Sequence, residues 1–168
     1  MGRYRPPAPK SSPYITRDGF ERMDNEITEL WKRRAEVTRA VTAAAAEGDR
    51  SENAEYIYRK KELRGLDRRI RYIQKRLPEL TIVDEAPSDP SRVFFGAWVE
   101  LEDEAGASHT YRIVGSDEID MQPDYVSMDA PLAKALFKKQ SDDEIRIETP
   151  KGISCYVILT INYVDATA

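Results

Sequence analysis

The chain has 168 residues, of which 40% are hydrophobic and 33% are charged, and its formal net charge is −4. This length allows one or two small domains, and the composition is typical of a globular protein rather than a disordered or membrane-spanning one. No apolar run approaches the roughly 20 residues that cross a bilayer, and the N-terminal sequence lacks the apolar core of a signal peptide. The single Cys155 excludes an internal disulfide and a cysteine-based zinc site. We therefore expect a cytoplasmic protein with no membrane contact.

The charge is divided unevenly along the chain. Residues 1–83 carry 19 Lys and Arg against 13 Asp and Glu, whereas residues 84–168 carry 7 against 17. Such asymmetry indicates partners of opposite sign, with nucleic acid a candidate for the basic half. The alternative is that each half is merely solvated.

The first half predicts a tail and a helical hairpin. Residues 1–14 contain four prolines and three basic residues, and we expect them to be disordered. In residues 15–83, hydrophobic residues recur in steps of three and four from Phe20 to Ala44, with Arg34 in one slot, and again from Leu63 to Leu80, with Tyr56 seven residues before Leu63. Thr16 is predicted to cap the first helix and Gly48 to end it. Because each stripe covers the other, we expect a monomeric antiparallel coiled coil with arms of roughly 45 Å.

The second half predicts a small α+β domain. Residues 84–91 are typical of a linker, and residues 92–168 show a period of two that favours an antiparallel sheet. The predicted strands are residues 97–102, 110–114, 145–148 and 154–164. Pro131 begins a short helix, with Asp129 near its cap.

The turn between the two helices, residues 47–53, carries two carboxylates three residues apart, Asp49 and Glu52. One interpretation is a capping box, in which Asp49 bonds the backbone and Glu52 reaches back to it. The other is a site for Mg2+, whose preferred ligands are oxygens. Since two carboxylates are too few for a tight site, the metal would be shared with the acids of another protein and a phosphate.

The second helix is strongly basic. Between residues 59 and 76, nine basic residues face two acidic ones, a local excess of +7. Lys60, Arg64, Arg68 and Arg71 recur at helical spacing, so like charges repel along one face. A phosphate backbone laid along this face would account for them, and a solvated face is the alternative.

At the tip, Gly48-Asp-Arg-Ser-Glu-Asn-Ala-Glu-Tyr resembles the Gre family of bacterial transcript-cleavage factors, and in particular its GreB branch. The resemblance includes residues 67–72, 93–100, 111–118 and 129–136, and it extends over residues 15–164. It implies that the hairpin is followed by an FKBP-like domain, and that the protein is an accessory factor rather than a stand-alone enzyme.

The resemblance also implies a mechanism. The FKBP-like domain would bind RNA polymerase at the rim of its secondary channel, and the coiled coil would enter the channel of a backtracked complex. By motif position, Asp49 and Glu52 would be the catalytic tip acids that help hold the second Mg2+ and orient the attacking water. Asp129 and Pro131 would belong to the polymerase-docking loop. The residues implied to guide the nascent RNA 3′ end are Arg59, Lys60, Lys61, Arg64 and Arg68.

Three other functions fit part of the pattern. The first is a regulator that plugs the secondary channel without cleavage, although the complete Gly-Asp-x-Ser-Glu-Asn tip favours cleavage. The second is a prolyl isomerase or chaperone, which would need an aromatic-lined pocket that the sequence does not assemble. The third is an adaptor whose coiled coil dimerises.

Overall fold

A computed structural model describes residues 6–49 and 52–163. The described residues divide into two compact units. The hairpin unit comprises residues 20–80, and the sheet unit comprises the residues up to 19 together with those from 81 onward. Among the described helices, none combines the length and apolar character that a bilayer-spanning segment needs.

The hairpin unit is built from α1 (Arg17–Ala45) and α2 (Ala54–Arg76), and a 3-10 turn at Leu77–Glu79 follows α2. The predicted heptad stripes form its core, since Met23, Val37, Ile70 and Ile73 are at most 3% exposed. The contacts between α1 and α2 show that the two helices run in opposite directions. Glu26, near the start of α1, forms an ion pair with Arg69, near the end of α2. The carbonyl of Ala44, at the end of α1, accepts a hydrogen bond from Asn53, which precedes α2. The antiparallel hairpin is confirmed.

An ion pair occupies one heptad slot of this core. The Nε atom of Arg34 lies 2.6 Å from Oδ1 of Asp67, and both side chains are about two-thirds buried. A polar residue at such a position specifies the register of a coiled coil at some cost in stability. Arg34 therefore fixes how α1 and α2 are aligned.

The sheet unit confirms the predicted α+β class. The strands of its five-stranded sheet are β3 (Trp98–Asp103), β4 (Ser108–Val114), β5 (Tyr125–Ser127), β6 (Glu144–Thr149) and β7 (Gly152–Asn162), in the spatial order β5-β4-β3-β7-β6. The core lies between this sheet and α3 (Pro131–Leu136), where Val99, Leu101, Ile113 and Leu136 are buried. The predicted antiparallel pairing is confirmed for β3, β4, β6 and β7, and at one edge β4 also pairs in parallel with β5, a strand that was not predicted. Its three half-buried residues are too few to show a period of two.

The predicted tail is partly ordered. Strand β1 (Tyr14–Ile15) pairs in parallel with β2 (Thr81–Ile82), and the carbonyl of Pro13 accepts from the Thr81 N–H at 2.7 Å. Residues 15–19 and 81–83 therefore belong to the sheet unit rather than to the predicted hairpin 15–83. The predicted tail 1–14 ends too late for the same reason. Its residues 1–5 lie outside the described residues.

Candidate tip and nucleic-acid interface

The turn that joins α1 to α2 presents both predicted acids to solvent. Gly48 has a φ of +142°, a region that favours glycine, and it follows the end of α1. The Glu52 N–H donates to the Asp49 carbonyl at 3.3 Å, which holds the two residues in one turn. Both side chains are exposed. Positions 50 and 51, between them, lie outside the described residues.

Asn53, rather than Asp49, caps α2. Its Oδ1 atom accepts from the Tyr56 N–H at 3.1 Å, and its Nδ2 donates to the Ala44 carbonyl at 2.8 Å. The Asn53 side chain thus accepts from a backbone N–H in the first turn of α2 and also links α2 to the last turn of α1 through a hydrogen bond. Because Glu52 precedes the cap, the capping-box interpretation of the two acids is wrong. Asparagine is among the strongest N-cap residues, so the signal was present in the sequence.

The donor set at the tip fits a partly hydrated, shared Mg2+ site. Among the described residues, no group of three or more His, Cys, Asp or Glu side chains could hold a metal ion. The exposed oxygens of Asp49 and Glu52 are hard ligands of the kind that Mg2+ prefers. Since Mg2+ usually keeps several waters and takes only one or two carboxylates from a protein, these two residues could supply its protein ligands on this side.

The basic residues of α2 fall into two classes. In the first class, guanidinium groups are occupied by carboxylates of the hairpin itself. Arg59 donates to Glu55 and Glu62, with N–O distances of 2.8 and 3.0 Å, and Arg69 forms a bidentate pair with a glutamate of α1. Arg76 is buried, and its Nη1 atom lies 3.8 Å from Oε2 of Glu79, one turn later. The contribution of Arg59 to RNA binding stays a prediction, but its guanidinium already forms ion pairs with two glutamates of the hairpin.

Glu62 is the centre of one such network. It accepts from Arg33 on α1 and from Arg59 on α2. The hydrogen bond from Arg33 is the largest cause that holds the pKa of the Glu62 carboxyl below its ordinary value, and Arg59 adds to it. The same contact raises the pKa of Arg33. This network links the two helices through charge.

The second class forms an exposed surface, here called the basic stripe: Lys60, Lys61, Arg64, Arg68, Arg71 and Lys75. With 3.6 residues per turn, these side chains fall within an arc of about 100° and along roughly 22 Å of α2. None of the six forms an ion pair with another residue in the described ranges. The stripe lies opposite the buried Ile70 and Ile73. Four of the predicted RNA contacts therefore share one unneutralised surface.

Comparison with known proteins decides the family. The family model described as "Transcription elongation factor, N-terminal" matches residues 13–82, and the one described as "Transcription elongation factor, GreA/GreB, C-term" matches residues 87–163. The chain belongs to the GreA/GreB family of transcription elongation factors.

Individual relatives agree with this assignment. Transcription elongation factor GreB of Pseudomonas aeruginosa is 52% identical over 167 residues, which cover 99% of each chain. GreB of Xanthomonas axonopodis pv. citri is 54% identical over 165 residues, covering 97% of this chain and 98% of that one. Among solved structures, Gfh1 of Thermus aquaticus matches with a TM-score of 0.42 and 24% identity, covering 91% of this chain and 99% of that one. The assignment to the GreA/GreB family rests on the sequence matches.

The two residues of the predicted docking loop of this GreA/GreB family member differ in their surroundings. Asp129 accepts from the backbone N–H of Ser12 at 2.9 Å and from its hydroxyl. The N-cap of α3 is Ala130, which makes no side-chain cap hydrogen bond, so Asp129 lies next to the cap, as expected, but does not itself cap the helix. Pro131 is the exposed first residue of α3. Their role in docking stays a prediction.

A buried acid of the sheet unit was missed by sequence reasoning. Glu118 is fully buried and accepts from the N–H and hydroxyl of Thr16 and from the N–H of Gly115. Thr16 also accepts from the Gly19 N–H at 3.1 Å, which confirms its predicted role as the cap of α1. An isolated glutamate shows no periodicity, so nothing in the sequence pattern marked Glu118 as buried. It stabilises the first turn of α1.

Proposed function

We propose that this GreA/GreB family member enters the secondary channel of RNA polymerase and stimulates cleavage of backtracked RNA by the polymerase. The observation that carries the proposal is the exposed pair Asp49 and Glu52 on a turn whose helix cap is supplied by Asn53. Asn53 supplies the N-cap of α2, so neither acid serves as that cap. The factor would act as an accessory in the cytoplasm, without catalysis of its own.

The tip acids would contribute oxygen ligands and a negative field. When bound, a Mg2+ ion shared with the carboxylates of the polymerase would supply charge neutralisation at the phosphate and a more acidic water. Asp49 and Glu52 would complete its ligands and accept hydrogen bonds from the attacking water, which orients that water towards the scissile phosphate. Two carboxylates on an exposed turn bind such a cation weakly by themselves. Activity would therefore depend on both proteins.

The basic stripe would hold the extruded RNA. It begins about 9 Å beyond the first residue of α2 and continues away from the tip. Its six cations lack carboxylate partners among the described residues, so contact with phosphates would cost no broken ion pair. Cations of this kind bind the phosphate backbone without regard to sequence and release counterions as they do so. Cleavage should therefore weaken as the salt concentration rises.

The test is release of 3′ RNA fragments from a stalled, backtracked elongation complex in Mg2+. We would compare the wild type with the double variant Asp49→Asn/Glu52→Gln, and we would use Glu47→Gln as a matched control that removes a charge from the same turn. We expect the wild type and the control to release fragments and the double variant to bind the complex without release. Equal release by the double variant would refute the role of the acids. If the wild type slows RNA synthesis and releases nothing, the channel-plugging function replaces the proposal.

A further inference from the structure

Two exposed tyrosines border the basic stripe. Tyr58 and Tyr72 are 60% and 44% exposed, so both rings are accessible to a ligand. They lie fourteen residues apart on α2, which corresponds to about 21 Å along the helix and about 40° around it. Both are therefore on the same edge of the stripe, one near each end.

Each tyrosine ring is held by an arginine that is itself held by glutamate. The Cζ atom of Arg59 lies 5.5 Å from the centroid of Tyr58, and that of Arg69 lies 5.4 Å from the centroid of Tyr72. Arg59 is fixed by its two carboxylate partners, and Arg69 by its bidentate pair across the hairpin. A ring held in this way loses little conformational freedom when a ligand stacks on it.

The residue midway between the two tyrosines along α2 has no side chain. Gly65 lies midway, seven residues from each tyrosine. A Cβ atom placed on Gly65 would meet only the Nη2 atom of Arg68, at 4.0 Å, so packing does not require a glycine here. Position 65 therefore adds no side chain to the line between the two tyrosines, and the basic stripe runs along one side of this line.

We propose that Tyr58 and Tyr72 stack on bases of single-stranded RNA whose phosphates lie along the basic stripe. Surfaces that bind single strands without sequence preference combine a positive track with aromatic rings, because every base has a flat face. The inference rests on the proposed function for its ligand and extends it, since phosphate contacts alone would not distinguish a single strand from any other polyanion. Arg59 then positions Tyr58 rather than binding a phosphate.

The test separates base contacts from phosphate contacts in the full chain. We would measure by fluorescence anisotropy the affinity for an oligoadenylate of about 12 nucleotides, within the range of single-strand site sizes. The same measurement on an abasic RNA of equal length reports the phosphates alone. The variants are Tyr58→Leu/Tyr72→Leu, which keeps two helix-forming residues, and Tyr58→Phe/Tyr72→Phe, which keeps both rings. Far-UV circular dichroism checks that each variant retains its helix content.

We expect the wild type to prefer oligoadenylate over abasic RNA by about fivefold or more, the lower end of base stacking on aromatic side chains. The leucine variant should lose this preference, the phenylalanine variant should keep it, and the salt dependence of binding should be the same in all three. Equal affinity of the wild type for the two RNAs, or a leucine variant that keeps the preference, would overturn the inference. Because no polymerase is present, failure of the cleavage assay leaves this result interpretable in its own right.

Discussion

Replacing Gly65 with alanine should stabilise the hairpin unit. A glycine inside a helix costs about 0.5–1 kcal/mol relative to alanine, since it has more backbone freedom to lose on folding. At Gly65 the added methyl group would meet only the end of the Arg68 side chain, at an ordinary contact distance of 4.0 Å. No steric clash would therefore offset the gain in stability. We expect the free energy of unfolding to rise by about 0.5–1 kcal/mol.

The same substitution at Gly19 should have the opposite sign. There the new Cβ would overlap the carboxylate of Glu118, which accepts hydrogen bonds from Thr16 and Gly115 in a fully buried site. Moving that carboxylate would break several buried hydrogen bonds, a loss of roughly 2–4 kcal/mol. Gly19→Ala therefore serves as the matched control, with one added methyl group in a helix and a predicted loss.

Urea unfolding followed by far-UV circular dichroism measures both free energies. A gain of about 1 kcal/mol would raise the midpoint of thermal unfolding by roughly 4–8 °C for a unit of this size. If Gly65→Ala leaves stability unchanged or lowers it, then position 65 is not the open helical site described above. If Gly19→Ala is as stable as the wild type, then the Glu118 site relaxes without cost and the sign argument fails.

Two further predictions concern the hairpin. Asn53→Ala should lower stability by about 1–2 kcal/mol because it removes the N-cap of α2 and the bond to the carbonyl of Ala44; Asn53→Asp, which keeps the cap acceptor, should lose less in the same urea titration. Glu62 has a lowered pKa when folded, so it stabilises the hairpin above the ordinary carboxyl pKa, and this contribution is lost as the pH falls through the folded value. Glu62→Gln should therefore reduce the loss of stability between neutral pH and about pH 3, and an unchanged acid dependence would contradict the network.

The long elements were predictable because each offers many repeats of its period. The stripes of α1 and α2 each run for more than 20 residues, so a step of three and four is unmistakable even with Arg34 in one slot. Strands β1, β2 and β5 have two or three residues, and no period can be read from so few positions. Their existence depends on pairing with distant segments.

The candidate site divides in the same way. The tip acids and the run of cations are local in sequence, so both could be named as candidates from the sequence alone. Which cations remain exposed depends on the register between the helices, since Arg69 finds its carboxylate partner 43 positions earlier in the chain. Nothing in the sequence near residue 69 indicates that partner, so Arg69 could not be separated from the basic stripe by sequence alone. Arg59 could have been, because its partners Glu55 and Glu62 lie at helical spacing on the same helix.

The parallel pair β1 and β2 has a consequence for how this architecture can vary. The chain leaves β1 to enter α1 and returns from α2 through the 3-10 turn into β2, so both ends of the hairpin are continuous with one two-stranded ladder. Matched insertions of seven residues in the two helices would lengthen the arm by about 10.5 Å and keep every heptad contact in phase. The pairing of β1 with β2, at the ends of the hairpin, would be unchanged. The length of the arm is therefore set by α1 and α2, and its attachment by β1 and β2. Evolution can change the length without changing the residues of the attachment.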